Sequence, residues 1–245
     1  MADHNFDVVI LGGGSGGYAA ALRSAQLGKS VALIEKDKLG GTCLHRGCIP
    51  TKALLHSAEV ADVTREAASY GVNAQFQSID MNVVNKYRDG IIDRLFKGLS
   101  GLVASKPITV VSGEGRLTGP KTVSVNGDTY TGANVILATG SYSRSLPGLE
   151  IGGRVITSDQ ALGLDFVPNK VLVLGGGVIG VEFASIWKSF GAEVTIIEGL
   201  PHLIALEDES SSKQLERAFR KRGINFELGV RFQSAVKTKK GVTVT

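Results

Sequence analysis

Cysteine is nearly absent: only Cys43 and Cys48 occur in 245 residues. Two cysteines cannot build the multi-bridge framework of small secreted domains. Nor do they supply the second ligand pair that a structural zinc site takes, so no metal centre is expected. No run approaches the roughly 18 apolar residues of a membrane span. Neither sign of charge dominates, since 27 Lys and Arg stand against 23 Asp and Glu. The basic residues are dispersed, and the one dense stretch, Arg217 to Arg222, reads as the polar face of a helix; nucleic-acid binding is not expected. The amino-terminal apolar run carries Asp3 and Asp7 before it and no basic region, so it does not read as a secretory signal. These absences together give the expectation of a cytoplasmic protein without a membrane partner.

Glycine, by contrast, is plentiful at 32 residues, and several fall in short runs, which points to tight turns rather than disorder. Hydrophobic residues at 43% and charged residues at 20% suit a soluble α/β protein with a real core. The first glycine run lies between Phe6–Leu11, a β-branched stretch of strand length, and Tyr18–Leu27, a stretch with helical spacing that Gly28 ends. Val31–Ile34 is a second strand with Glu35 at its end, which completes a βαβ unit. Gly12, Gly14 and Gly17 fit the GxGxxG fingerprint, and Glu35 follows Gly12 by 23 residues (12 to 35). The glycines have separate physical tasks: a tight turn at Gly12, room for a pyrophosphate at Gly14, and close helix–strand packing at Gly17. The helix N-terminus adds N–H groups and a positive dipole end. Glu35 can accept hydrogen bonds from a ribose. An ordinary tight turn beside a solvated acid is the plain alternative, and the strand, helix and acid in sequence favour the nucleotide reading.

The unit then recurs. Lys170–Leu174 is a strand, Val178–Phe190 a helix closed by Gly191, and Val194–Ile197 a strand with Glu198 at its end. The fingerprint is Gly175, Gly177 and Gly180, and Glu198 follows Gly175 by 23 residues (175 to 198), the same offset as in the first unit. Two such units imply two dinucleotide sites. Between them, helices are expected over 53–70 and 80–105. Asp80 is the N-cap of the second, whose apolar face would hold Val83, Val84, Tyr87, Ile91, Leu95, Leu99 and Leu102. Short alternating runs from Ile108 to Leu137, with the turn signal Asn126-Gly127, read as a small antiparallel meander that returns to the main sheet at Val135–Ala138. A helix over 210–222 and strands at 224–228, 232–236 and 242–245 follow. The expected fold is α/β: two Rossmann-like units, the first with an inserted long helix and a β-meander. Its expected division is an FAD-binding domain over 1–148 and an NAD-binding domain over 149–245, with a crossing around 148–168.

Both cysteines lie in Gly40–Lys52, GGTCLHRGCIPTK, separated by four residues. Residues five apart in a regular helix have Cα atoms about 8–9 Å apart, whereas a disulfide needs about 4.4–6.8 Å. A redox couple therefore requires a break in the helix, which Gly47 permits. Two unrelated buried thiols remain an alternative on spacing alone. The two nucleotide units tilt the reading toward a relay. A nicotinamide moves two electrons as hydride, a dithiol/disulfide moves two, and a flavin exchanges with both. FAD would then occupy the first unit and a nicotinamide the second. Glu198 favours the free 2′-hydroxyl of NAD over the phosphate of NADP.

GGTCLHRGCIPTK, the two fingerprints and the ILATG segment resemble the flavoprotein disulfide reductases over the whole chain. Within that family TCLHRGCIPTKALL and the NAD-type acid look most like the branch that oxidises dihydrolipoamide. The resemblance implies that Cys43 is the interchange thiol and Cys48 the flavin-proximal thiolate. It also implies that Lys52 lies near the reactive edge of FAD and pairs with Glu182, and that Thr139 and Gly140 lie in the cofactor site. It implies a homodimer serving the lipoyl domains of the acyltransferase component of 2-oxo acid dehydrogenase complexes. The family's base is a His in a His-Pro pair of a C-terminal interface domain, and this sequence holds no such pair. The returning FAD segment, the rest of the NAD domain and the interface domain are likewise not found, so the chain reads as the N-terminal part of such an enzyme. His45 is expected to be a local structural residue. A mercuric, mycothiol or glutathione-type reductase, or a non-catalytic nucleotide-binding fragment, are the alternatives.

Overall fold

Glycine-closed helices alternate with β-branched runs, and parallel strands result. The computed structural model describes residues 2–239 and 241–245. The chain forms two compact units, one of Met1–Pro50 with Asp89–Tyr142, the other of Thr51–Arg88 with Ser143–Thr245.

The first unit begins with β1 (Asp3–Leu11), α1 (Ser15–Gln26) and β2 (Val31–Glu35), then α2 (Gly41–Arg46). A helix α3 (Cys48–Glu66) and a 3₁₀ turn (Ala67–Tyr70) precede α4 (Met81–Ala104), and α3 and α4 each have residues in both units. The strands β3 (Ile108–Ser112), β4 (Arg116–Gly119), β5 (Thr122–Val125) and β6 (Asp128–Leu137) complete a six-stranded sheet in the order β3-β2-β1-β6-β5-β4. The central strand explains its own continuous apolar run, because both of its faces are covered. Val8, Ile10, Val31 and Leu33 pack with Ala21 and Val103 on one face. Val9, Ala32 and Ile34 pack with Val123, Val125 and Tyr130 on the other.

Two expectations change here. The run at Ile108–Ser112 is not part of the antiparallel meander; it pairs in parallel with β2. It is a short edge strand with every residue partly or fully exposed, so its sequence carries no mark of a buried parallel strand. The return to the main sheet expected at Val135–Ala138 is there but starts earlier: β6 is one strand that pairs in parallel with β1 from Thr129 to Leu137. The remaining meander, β4-β5-β6, is antiparallel as expected, and its turn places Asn126 and Gly127 both at positive φ (52° and 91°), the pairing a two-residue hairpin prefers. Asp80 caps α4 as expected, its Oδ1 accepting from Asn82 N–H at 2.9 Å. The expected apolar face of α4 is only partly used: Val83, Tyr87, Leu95 and Leu102 are exposed, Val84, Ile91 and Leu99 are partly buried, and the buried residues of the helix, Met81 and Val103, were not counted on that face.

In the second unit α5 (Ser158–Leu162) leads to β7 (Lys170–Leu174), α6 (Val178–Phe190), β8 (Glu193–Glu198), α7 (Glu209–Lys221) and β9 (Asn225–Leu228). β7, β8 and β9 form a three-stranded parallel sheet. Its core gathers around α6, where Phe183, Ala184, Ile186, Trp187 and Phe190 pack with Leu54 and Ala58 of α3. β10 (Ala235–Lys237) and β11 (Val242–Val244) form a separate antiparallel pair. Among the described residues no helix is long and apolar enough to cross a membrane.

Candidate dinucleotide turns and dithiol

The two glycine turns have nearly the same geometry. Gly12 and Gly175 take φ of 104° and 105°, a left-handed conformation that side chains resist. A Cβ on Gly17 would lie 1.8 Å from the Gly12 carbonyl oxygen, and one on Gly180 would lie 1.9 Å from that of Gly175. The third glycine of each fingerprint therefore lets the helix close on its own turn. The middle glycines differ. A Cβ on Gly14 would meet only Gly41 Cα, at 3.8 Å, and one on Gly177 would meet nothing within 4 Å. Each middle glycine thus borders open space at the start of a helix. The first intrahelical bonds run from Tyr18 N–H to Gly14 and from Val181 N–H to Gly177 (2.9 and 3.1 Å). The amides of the preceding turn are the ones a helix leaves for an anion. A dinucleotide pyrophosphate fits both places. Beside the first turn, a Cβ on Gly12 would lie 2.2 Å from the Ala138 carbonyl oxygen, so the segment that leaves β6 toward Thr139 and Gly140 abuts it.

The acids close each turn. Glu35 Oε2 accepts from Gly13 N–H at 2.6 Å and its Oε1 from Asp37 N–H at 2.8 Å. Glu198 repeats this with Gly176 N–H at 2.6 Å and Leu200 N–H at 2.8 Å. Sequence reading placed each acid at the end of its strand, toward a ribose, and passed over its contact with Gly13 or Gly176, which occupy unconstrained positions of the fingerprint. The triple glycine in each unit was the available signal.

The cysteine segment is built as the spacing argument requires. Cys43 lies in α2, Cys48 opens α3, and Gly47 separates the helices with ψ −109°. Cys43 is half-buried and Cys48 exposed. The helix starts earlier than residue 53 because Pro50 falls in its first turn, where its N–H would have no intrahelical partner. Gly40 and Gly41, at φ 107° and 57°, bring this segment onto the first glycine turn. Gly40 N–H donates to the Gly13 carbonyl at 2.9 Å, and a Cβ on Gly41 would lie 2.7 Å from Gly14 Cα. The dithiol segment and the first nucleotide turn are thus packed backbone on backbone.

Lys52 Nζ and Glu182 Oε1 are 2.6 Å apart, joining α3 to α6 within the second unit; the side chains are 60% and 26% exposed. A second junction joins the same helices and α7. Asp62 Oδ2 accepts from Ser189 Oγ at 2.5 Å and from Arg222 at 3.2 Å, and Arg222 also donates to Ser185 Oγ at 2.6 Å. Sequence reading did not find this junction, because its members are 127 and 160 residues apart from Asp62. The histidines have other engagements. His45 Nε2 bonds the Leu39 carbonyl at 2.8 Å and its ring stands edge-on to Phe96, the local structural role expected of it. His4 stacks on Tyr130, His56 pairs with Glu59, and His202 with the buried Glu216.

The family model for pyridine nucleotide-disulphide oxidoreductases matches residues 6–245. A dihydrolipoyl dehydrogenase of Bacillus subtilis is 45% identical over 96% of this chain and 52% of its own length. One of Zymomonas mobilis is 41% identical over 99% of this chain and 53% of its own. Among solved structures, LpdA from Mycobacterium tuberculosis superposes with TM-score 0.85 at 27% identity, covering all of this chain and 55% of that one. The flavoprotein disulfide reductase RclA from Escherichia coli superposes with TM-score 0.78 at 28% identity, covering 98% of this chain and 52% of that one. The chain spans about half the length of the curated relatives it matches.

Proposed function

Because the chain belongs to the pyridine nucleotide-disulphide oxidoreductase family, we propose that it is the FAD- and NAD-binding part of an enzyme that oxidises dihydrolipoamide. The observation that carries this reading is the packing of Gly40-Gly41, at the head of the dithiol segment, on Gly13-Gly14 of the first nucleotide turn. A dithiol segment held against a nucleotide turn is an arrangement for passing electrons between a thiol pair and a bound cofactor. FAD implied by the family, when bound, supplies two-electron exchange between the dithiol and a nicotinamide. In the first half-reaction the two substrate thiols become a disulfide, and the Cys43–Cys48 disulfide is reduced to the dithiol. Overall, dihydrolipoamide and NAD⁺ give lipoamide, NADH and one proton.

Within this scheme Cys43, half-buried in α2, exchanges with the substrate sulfur, and Cys48 at the start of α3 is the thiolate nearer the flavin. Lys52 is the cation that Glu182 holds in place, at 2.6 Å. Gly12, Gly14, Gly17, Glu35, Thr139 and Gly140 hold FAD; Gly175, Gly177, Gly180 and Glu198 hold NAD. Each Glu keeps acceptor sites for ribose hydroxyls beyond the two backbone bonds it makes, since a carboxylate offers about four lone-pair positions. The partners are the lipoyl domains of a cytoplasmic 2-oxo acid dehydrogenase complex, and the full-length form is a homodimer.

The test uses flavin-loaded full-length protein. Two-electron reduction is expected to produce a long-wavelength thiolate–flavin absorbance that Cys48→Ser abolishes, while Cys43→Ser shows it without reduction. Identical behaviour of the two variants would remove the role assignment. The structural likeness to RclA favours a second reading, a disulfide reductase for another substrate. Comparison of NADH with NADPH as flavin reductant, and of lipoamide with other disulfides as acceptor, separates the two.

A further inference from the structure

The acids at the ends of β2 and β8 are placed for more than a ribose. In each unit the peptide of the central glycine is bonded on both sides. Gly13 N–H donates to Glu35 at 2.6 Å and the Gly13 carbonyl accepts from Gly40 N–H at 2.9 Å. Gly176 N–H donates to Glu198 at 2.6 Å and the Gly176 carbonyl accepts from Ile204 N–H at 2.7 Å. The acid also packs on that glycine. A Cβ on Gly13 would lie 3.2 Å from Glu35 Cβ, and one on Gly176 would lie 3.2 Å from Glu198 Cβ. The second oxygen of each carboxylate bonds the amide two residues further on, Asp37 or Leu200. The same four contacts occur twice in one chain, on two separate turns.

From this repeat we infer that Glu35 and Glu198 are positioning residues for their glycine turns, each clamping the turn in its binding shape before a nucleotide arrives. The inference rests on the reading of both turns as dinucleotide sites and deepens it: the residue that selects the ribose also sets the turn that receives the pyrophosphate. The chemistry requires a carboxylate. Both backbone partners are donors, and a carboxylate presents an acceptor to each. A glutamine has one acceptor oxygen, and its NH₂ would face one of the two amides as donor against donor. An aspartate keeps the charge but is one methylene shorter and cannot span both. The clamp also explains the triple glycine: Gly176 must lack a side chain, since its Cβ would lie 2.5 Å from Leu203 as well as against Glu198.

The experiment compares wild type with Glu198→Gln in residues 1–245 without nucleotide, by amide hydrogen exchange. The Gly176 and Leu200 amides are expected to exchange faster by about tenfold or more, the scale of one charge-assisted hydrogen bond. The Val194–Ile197 amides should keep their rates and so report that the fold is intact. Glu198→Asp should give the same local loss. Glu35→Gln supplies an independent copy of the test at Gly13 and Asp37, and decides it if the Glu198 variants fail to fold. A second arm measures binding of ADP-ribose and of its adenosine 2′,3′-dideoxy analogue. The analogue lacks both hydroxyls that a ribose ligand would hold, so a clamp predicts that Glu198→Gln still weakens it by about threefold or more. Unchanged exchange at Gly176 and Leu200, or equal binding of the dideoxy analogue by wild type and variant, overturns the inference. If wild type binds neither nucleotide, the dinucleotide reading of the second turn fails, and the exchange arm alone decides the clamp.

Discussion

A methyl group added at Gly180 would stand 1.9 Å from the Gly175 carbonyl oxygen, whereas one added at Gly177 would meet nothing within 4 Å. The fingerprint gives both positions the same letter, but their substitutions should fail in different ways. Gly180→Ala forces the helix away from its turn and is expected to cost about 1–3 kcal/mol of stability, as overpacking does. Gly177→Ala should cost about 1 kcal/mol or less, the scale of a changed helix N-cap, yet weaken NADH binding by about tenfold or more because its methyl enters the pyrophosphate space. Denaturant unfolding and nucleotide titration of the two variants check this; equal stability loss in both would remove the distinction. The outer glycines and the acids were legible in the sequence because fixed spacing after a strand marks them. Gly13 and Gly176 were not, since only the folded turn shows which backbone amides the acids reach.

At the scale of elements, the helix termini carry much of the information. Asp208 begins α7, its Oδ1 accepting from Ser210 N–H at 2.8 Å. Hydrogen bonds from the Ser210 side chain and backbone hold its carboxyl below the ordinary 3.8. A depressed folded-state pKa means that the charged form is the one the fold stabilises. The contribution is therefore present above the ordinary carboxylate range and is lost as pH falls through the lowered folded value. Asp208→Ala should accordingly be less stable than wild type near pH 7, with the difference shrinking as pH drops below about 4. Unfolding midpoints across that range measure it, and a difference that grows on acidification would contradict it. Strand and helix identity were read from periodicity, and the exceptions have physical causes. β3 is a parallel edge strand, and its short, partly exposed run lacks the continuous apolar stretch of a buried parallel strand. α3 begins at Cys48 because a proline is harmless in a first helical turn. The Asp62–Ser189–Arg222 junction leaves no local pattern, since it joins three helices far apart in the chain.

For the whole molecule, residues 1–245 span about half the length of the relatives they match. The four histidines of this chain are taken up by Tyr130, Leu39, Glu59 and Glu216. A general base typically contributes about 10²–10⁴-fold. With each imidazole so engaged, residues 1–245 are expected to bind nucleotide but to turn over dihydrolipoamide slowly. An NAD⁺-reduction assay of residues 1–245 beside a dihydrolipoyl dehydrogenase relative tests this. Turnover within about tenfold of the relative's rate would overturn it, because an engaged base should cost more than that.

The local determinants of this protein are written in its sequence: two strand–glycine–helix units at one offset, an acid ending each second strand, and a cysteine pair separated by a helix-breaking glycine. Each depends on neighbours within a few tens of residues, so spacing and side-chain size suffice to read it. Tertiary structure alone decided the parallel pairing of β3 with β2, the pairing of β6 with β1, the seating of Gly40-Gly41 on Gly13-Gly14, and the three-helix junction at Asp62. It also decided that each acid closes its own turn through the Gly13 or Gly176 amide. Those arrangements depend on which backbone donors and acceptors meet after long stretches of chain have closed, and a linear pattern does not record that.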